Sequence, residues 1–158
     1  MNIFSSSFDP GESARNLDDK RVVKLILESS QMLSTVRPHL GLLKPAFINH
    51  PATLWVGESE HNYGWLWNHL AALHWEFNFR FSKSHALYPH FEVLTPGHSK
   101  CNPKYFVKLV RDKSRGLDFT HIEDTHEAYR VYLRQNGPQI EDRLNSQDDQ
   151  NRIGFRKD

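Results

Sequence analysis

The sequence predicts an all-α protein, a single compact domain of four to five helices. Two long stretches place apolar residues at helical spacing, and nowhere does the chain alternate with period two for long enough to demand a sheet. Its 158 residues suit one domain able to bury about two thirds of its unfolded surface without disulfides or a structural metal. That domain is expected over 1–140, with the polar residues 141–158 as a loosely held tail.

The opening residues alternate weakly and lead to Asp9-Pro10, where Asp is suited to cap a helix and Pro to begin one, giving a short helix through Arg15. Asp18 or Asn16 can cap the main helix, which should run to about Val36 and stop before Pro38 and Gly41. Along it Arg21, Lys24, Glu28 and Gln31 form one stripe. Val22, Val23, Leu25, Ile26, Leu27, Met32 and Leu33 fill nearly everything else. A helix so apolar is expected to be buried on most sides, leaving the charged stripe to face water or a cleft.

Residues 37–51 read as a connector, with His50-Pro51 starting another helix. From Glu60 to Ser82 the residues Tyr63, Leu66, Trp67, Leu70, Leu73, Phe77 and Phe81 mark a long helix facing the core. A second stripe on it, Asn62, Trp65, His69, Glu76 and Arg80, is placed to look into the same cleft as Glu28. Pro89, Pro96, Gly97 and Pro103 make 83–103 mostly loop. A short helix is expected from Pro103 to about Val110. Another should span Glu123 to Gln135 and end at Gly137-Pro138.

The net charge of +1 supplies no global field toward nucleic acid, so anion binding must come from local clusters of Lys and Arg. One such cluster is Lys104, Lys108, Arg111 and Lys113, interleaved with Tyr105 and Phe106 within 100–115. The single cysteine, Cys101, has no internal partner. Neither an apolar leader nor a bilayer-length apolar run is present, so no membrane partner and a reducing cytoplasm are expected.

The order Leu17, Asp19, Arg21, Glu28, then His50-Pro51, Asn62-Tyr63, Trp65-Leu66, Glu76 and Arg80 resembles the pyrimidine-dimer DNA glycosylase family of endonuclease V type, over about residues 1–85. The chain looks closer still to a group of small phage proteins that open Met-Asn-Ile-Phe and carry an Asp-Lys-His-Val-Val-Lys segment. A phage source would put it in the host cytoplasm. The resemblance implies that the N-terminal segment threads between helices toward a catalytic glutamate, a position Glu28 occupies. In the family the terminal amine attacks the sugar C1′, releases the base and leaves an imine, after which lyase activity can cut the strand. An α-amino group, titrating near pH 8, is partly neutral and nucleophilic at physiological pH.

Two departures stand out. The family type exposes threonine after loss of the initiator methionine. Here Asn2 is too large for easy removal of Met1, so the terminal amine stays on Met1, one residue farther out. Arg21 stands where histidine is usual and Gln31 where arginine is frequent, which alters phosphate contact.

Each candidate has a plainer role beside it. Glu28 would stabilise positive charge on the sugar and shuttle a proton, or else make an ion pair with Lys24 worth about 0.3–0.5 kcal/mol. Arg21, Lys24 and Gln31 would hold phosphate, or only keep the surface soluble. Lys104, Lys108 and Arg111 would track a DNA backbone, or be ordinary exposed charge. His50 either faces the cleft or is bonded structurally. Among four tryptophans, which at helical spacing are usually core, Trp65 is the candidate for touching a base or sugar, with Asn62 and His69.

Glu58 with His61, and Glu123 with His126, have the Glu-x-x-His spacing of di-iron bundles, a minority reading since such pairs arise by chance in a histidine-rich chain. No metal or cofactor is expected. The leading expectation is a DNA glycosylase acting on a damaged or modified pyrimidine in duplex DNA, with possible AP-lyase activity through the terminal amine. The alternatives are an N-glycosidase of free nucleotides and a non-catalytic phage protein that binds DNA or a protein.

Overall fold

The computed structural model describes residues 1–40, 43–94 and 101–136. The expectations for Gly41, Pro96-Gly97, Lys100, Gly137-Pro138 and the tail 141–158 lie outside the described residues. Six α-helices occur among those described: α1 Pro10–Arg15, α2 Asp19–Val36, α3 Pro51–Gly57, α4 Glu60–Phe81, α5 Tyr88–Val93 and α6 Thr125–Arg134. The only described sheet is a two-stranded antiparallel hairpin, β1 Arg111–Asp112 with β2 Leu117–Asp118, in which Arg111 faces Asp118 and Asp112 faces Leu117. The protein is therefore all-α. No described helix is long and apolar enough to cross a membrane.

Local chemistry sets the helix ends. Asp9, Asp18, Ser59 and Asp124 each accept a hydrogen bond from a backbone N–H of the first turn, and Pro10 and Pro51 supply first residues with φ already suited to a helix. The α4 helix ends at Ser82, held in the left-handed region at φ 52°.

The core lies where α2 and α3 pack on α4. Leu25, Ile26, Met32 and Leu33 meet Ala52, Trp55 and Val56 and the α4 residues Tyr63, Leu66, Leu70 and Leu73, all essentially sealed from solvent. Burial of this apolar surface is the main driving force for the bundle. The α2 helix is less enclosed than its composition suggests. Val23 and Leu27 are 40% and 44% exposed, because they share the outer face with Lys24.

Two stretches differ from expectation. The segment 83–103 contains α5, whose Phe91 stacks on Trp67 at 5.1 Å, so tertiary packing overrides its proline content. The expected helix from Pro103 to Val110 does not form: the stretch is neither helix nor strand. Its backbone is claimed by side chains from elsewhere: Trp55 Nε1 donates to Tyr105 O at 2.8 Å, Asn2 Nδ2 donates to Leu109 O at 2.8 Å, and Leu109 N donates to the Tyr129 hydroxyl at 2.9 Å. Helical bonding would require giving up all three.

The corner between α1 and α2 is pinned by Arg80, whose side chain is 5% exposed. Its guanidinium donates to Leu17 O at 2.7 Å and Arg15 O at 3.3 Å, and pairs with Asp19 at 3.1 Å and Glu76 at 2.8 Å. The predicted second stripe of α4 therefore does not look into a cleft. It faces backbone that needs polar partners inside the fold.

Candidate active site

Residues 3–6 run through the interior, and the helices around the opening segment take its polar groups. Trp65 Nε1 of α4 donates to Phe8 O at 2.6 Å, Arg130 Nη1 of α6 donates to Ser6 O at 2.7 Å, and His126 Nδ1 pairs with Ser5 O at 2.6 Å. Ile3, Ser5 and Ser6 are buried, as a threaded segment must be. Such a segment can lie inside only because side chains satisfy its backbone.

Asn2 is the fixed point of this thread. Its carboxamide donates to Leu109 O, accepts from the N–H groups of Ile3 and Phe4 at 2.7 and 3.3 Å, and lies 3.0 Å from the Tyr129 hydroxyl. Burial raises the Tyr129 phenol well above its ordinary pKa, so the hydroxyl keeps its proton.

With Asn2 held, the chain terminus falls against α2. The Met1 amine lies 3.7 Å from Glu28 Oε1, and the Asn2 N–H donates to Glu28 Oε2 at 3.2 Å. Lys24, one turn earlier, approaches Oε1 at 3.3 Å and is itself exposed. The Glu28 carboxylate is thus mostly buried but touched by two cations and an amide, an arrangement that offsets its desolvation. The Met1 side chain is 2% exposed, and the Thr53 hydroxyl of α3 points at its sulfur from 3.7 Å.

His50 caps α3, its Nδ1 accepting from Ala52 N at 3.1 Å. Burial lowers its pKa, the positive terminus lowers it further, and Glu28 opposes both. The ring is therefore neutral at physiological pH, with its proton on Nε2.

Beside this centre, on the α2 face toward α6, opens a cavity of about 670 Å³ lined by Phe4, Asp18, Arg21, Lys24, Leu25 and Tyr132 among others. Arg21 pairs with Asp18 and lies over the Phe4 ring at 5.4 Å. Phe4 presents that face from a strained backbone, at φ 54°. Gln31 sits half-buried one turn beyond Glu28.

The structure thus brings Met1, Lys24, Glu28 and His50 together and sets Arg21 nearby. It does not bring Asn62, Trp65 or His69 to them. All three are 3% exposed or less. Asn62 donates to Trp55 O, Trp65 bonds Phe8 O and stacks on His69, and His69 engages Pro10 O. These bonds are internal, with no face left for a substrate.

Of the basic segment, Lys108 donates to Ile122 O and Glu123 O and Arg111 pairs with Asp118 at 2.8 Å, whereas Lys104 is exposed. The Glu-x-x-His residues are dispersed: Glu58 accepts from Tyr105, His61 Nδ1 accepts from Asn102 N, and His126 holds Ser5. Among the described residues no three His, Cys, Asp or Glu side chains group to hold a metal.

Asn2, Thr53 and Tyr129 were not among the expected site residues. Their contacts span up to 127 positions in the chain, which no local pattern reveals.

The family model described as pyrimidine dimer DNA glycosylase matches residues 1–88, more than half of the chain. Neither the curated proteins nor the solved structures searched gave a match. Those 88 residues contain the terminus, Glu28 and His50, and they place the chain in the pyrimidine dimer DNA glycosylase family.

Proposed function

We propose that this protein cleaves the N-glycosidic bond of a damaged or modified pyrimidine in duplex DNA, using the Met1 amine as nucleophile and Glu28 to manage charge and protons. The observation that carries this reading is the 3.7 Å separation of amine and carboxylate inside a nearly closed site. Attack requires a neutral amine, and Glu28 Oε1 is the adjacent proton acceptor.

The amine lone pair forms a bond to C1′ as the bond from C1′ to the base breaks, and the base leaves with its bonding electrons and takes up a proton. The first amine proton passes through Glu28 to the departing base; the C1′–O4′ bond then breaks with its electrons on O4′, which takes up the second amine proton and leaves an imine. The developing cation sits beside the Glu28 carboxylate, where low solvent access strengthens the attraction. A neutral His50 adds no competing positive charge. Loss of a C2′ proton from the imine would expel the 3′ phosphate, which is the lyase step.

Lys24, exposed beside the carboxylate, and Arg21, braced by Asp18 and Phe4, are suited to phosphates flanking the target nucleotide. Gln31 and Lys104 would add outer contacts. This scheme needs no cofactor.

The test is borohydride trapping on duplexes carrying a thymine dimer, a 5-modified pyrimidine or an abasic site. A covalent adduct should form and map to the Met1 peptide, and acetylation of the terminus should abolish it. Base release without any adduct would remove Met1 from the chemistry, and no release from any duplex would overturn the whole reading.

A further inference from the structure

Between α2 and α3 the chain turns at 47–50 and carries two large apolar side chains that the fold leaves uncovered. Phe47 is 62% exposed and Ile48 is 59% exposed. The turn is tied at both ends. The Thr35 hydroxyl of α2 accepts from Ala46 N at 3.0 Å and donates to Ala46 O at 3.2 Å. On the other side His50 N donates to Phe47 O at 3.0 Å, and the His50 ring then caps α3.

A single apolar side chain on a surface is ordinary. Two in succession on a turn held this firmly give water a fixed apolar face from which the fold gains nothing. Their place in the molecule is specific. Two peptide units span at most about 7 Å, so Ile48 is a close neighbour of His50, one of the groups gathered at the Met1–Glu28 centre. The His50 ring feels the positive terminus and the Glu28 carboxylate. Cations stand on either side of the pair: Lys44 is exposed three residues earlier, and Lys24 is exposed beside Glu28. Apolar groups between cations match a partner with anionic edges and a stacked apolar interior, which is duplex DNA.

We propose that Phe47 and Ile48 form a wedge that enters the base stack beside the target nucleotide and holds the step open while C1′ meets the Met1 amine. This rests on the glycosylase reading of that centre. The sugar of a stacked nucleotide does not reach an amine inside a nearly closed site, so the step must open, and apolar side chains in the gap offset the cost of unstacking. Because the turn is already tied, little further ordering is needed when it inserts.

The double variant Phe47→Asn with Ile48→Ser tests it. Both positions are exposed and Asn suits the left-handed backbone at 47, so the melting midpoint should match or exceed that of the wild type. Single-turnover base release from a fully paired duplex should fall at least about tenfold, whereas the same target in a short unpaired bubble should react at close to the wild-type rate. Phe47→Leu, which stays apolar, should keep most of the paired-duplex rate. Apart from any chemistry, Glu28→Gln bound to a thymine-dimer duplex with 2-aminopurine beside the lesion should raise its fluorescence, and adding the double variant should abolish the rise.

A wild type that releases no base yet gives this rise sinks the glycosylase reading and leaves the wedge standing. The wedge is overturned if the double variant matches the wild type on paired duplex, if it loses equally on paired and bubble targets, or if no fluorescence rise occurs. A wild-type dimer that the double variant dissociates would assign the pair to a second copy of the chain. Binding to phosphatidylglycerol vesicles that the double variant loses would assign it to a lipid surface. Either result overturns the wedge as well.

Discussion

Met1 and Glu28 meet end to side: the amine of the first residue lies 3.7 Å from Oε1, while the amide of the second donates to Oε2 at 3.2 Å. The two carboxylate oxygens therefore fix two consecutive nitrogens of the chain. Glu28→Gln preserves the shape and removes the charge. Single-turnover base release should fall about 10²–10⁴-fold, the range for losing a positioned acid–base group, with DNA affinity little changed. Unchanged release would exclude Glu28 from the reaction.

Tyr129→Phe should act on the same centre from a distance. The hydroxyl accepts from Leu109 N at 2.9 Å and lies 2.9 Å from Val107 O and 3.0 Å from Asn2 Oδ1, so its loss leaves the Leu109 N–H without its acceptor and loosens the hold on Asn2. A stability loss of about 1–3 kcal/mol by urea unfolding is expected, with kcat lowered more than KM rises. Restoring Tyr at 129 in a background that retains Asn2 should recover both.

Arg80→Met should be among the most damaging single changes. It leaves Glu76 buried beside a missing cation, and Leu17 O and Arg15 O lose their donor. A cost of about 3–5 kcal/mol is expected from chemical denaturation.

Acid should weaken the fold through histidines. His69 and His74 are both lowered from 6.5 to about 4, by burial foremost. Between those values the unfolded chain binds protons that the folded one does not, so stability must fall as pH drops through that window and stay level above about pH 7. Melting curves between pH 4 and 8 check this. His74→Phe should flatten part of the slope.

Phe47 occupies the left-handed region at φ 54° with its side chain 62% exposed, three residues ahead of the His50 cap. Phe47→Gly should relieve about 1 kcal/mol of strain, read as a raised melting midpoint. Reduced activity on duplex DNA in the same variant would show that the exposed ring touches substrate.

The long helices were legible because their signals are local. Spacing and the Asp18 and Asp9-Pro10 caps define α1 and α2, and apolar periodicity defines α4. The nearness of Glu28 to the terminus came from family resemblance rather than from any pattern in the residues. Asn62, Trp65 and His69 show why a polar stripe misleads: a threaded backbone inside the fold needs polar partners as much as a cleft does. The irregular course of 103–110 was hidden for a related reason, since its hydrogen bonds go to side chains as distant in the chain as Asn2.

The Asn2 clamp has a consequence for dissecting this protein. Every group proposed to do the chemistry precedes residue 54, yet the parts that grip Asn2, Leu109 and Tyr129, lie beyond the family-matched portion. A fragment trimmed to the matched region would carry the whole reactive set and lose the Leu109 and Tyr129 contacts to the Asn2 side chain. Conversely, drift in the later half of the chain can retune the reach of the nucleophile without altering a single reacting atom.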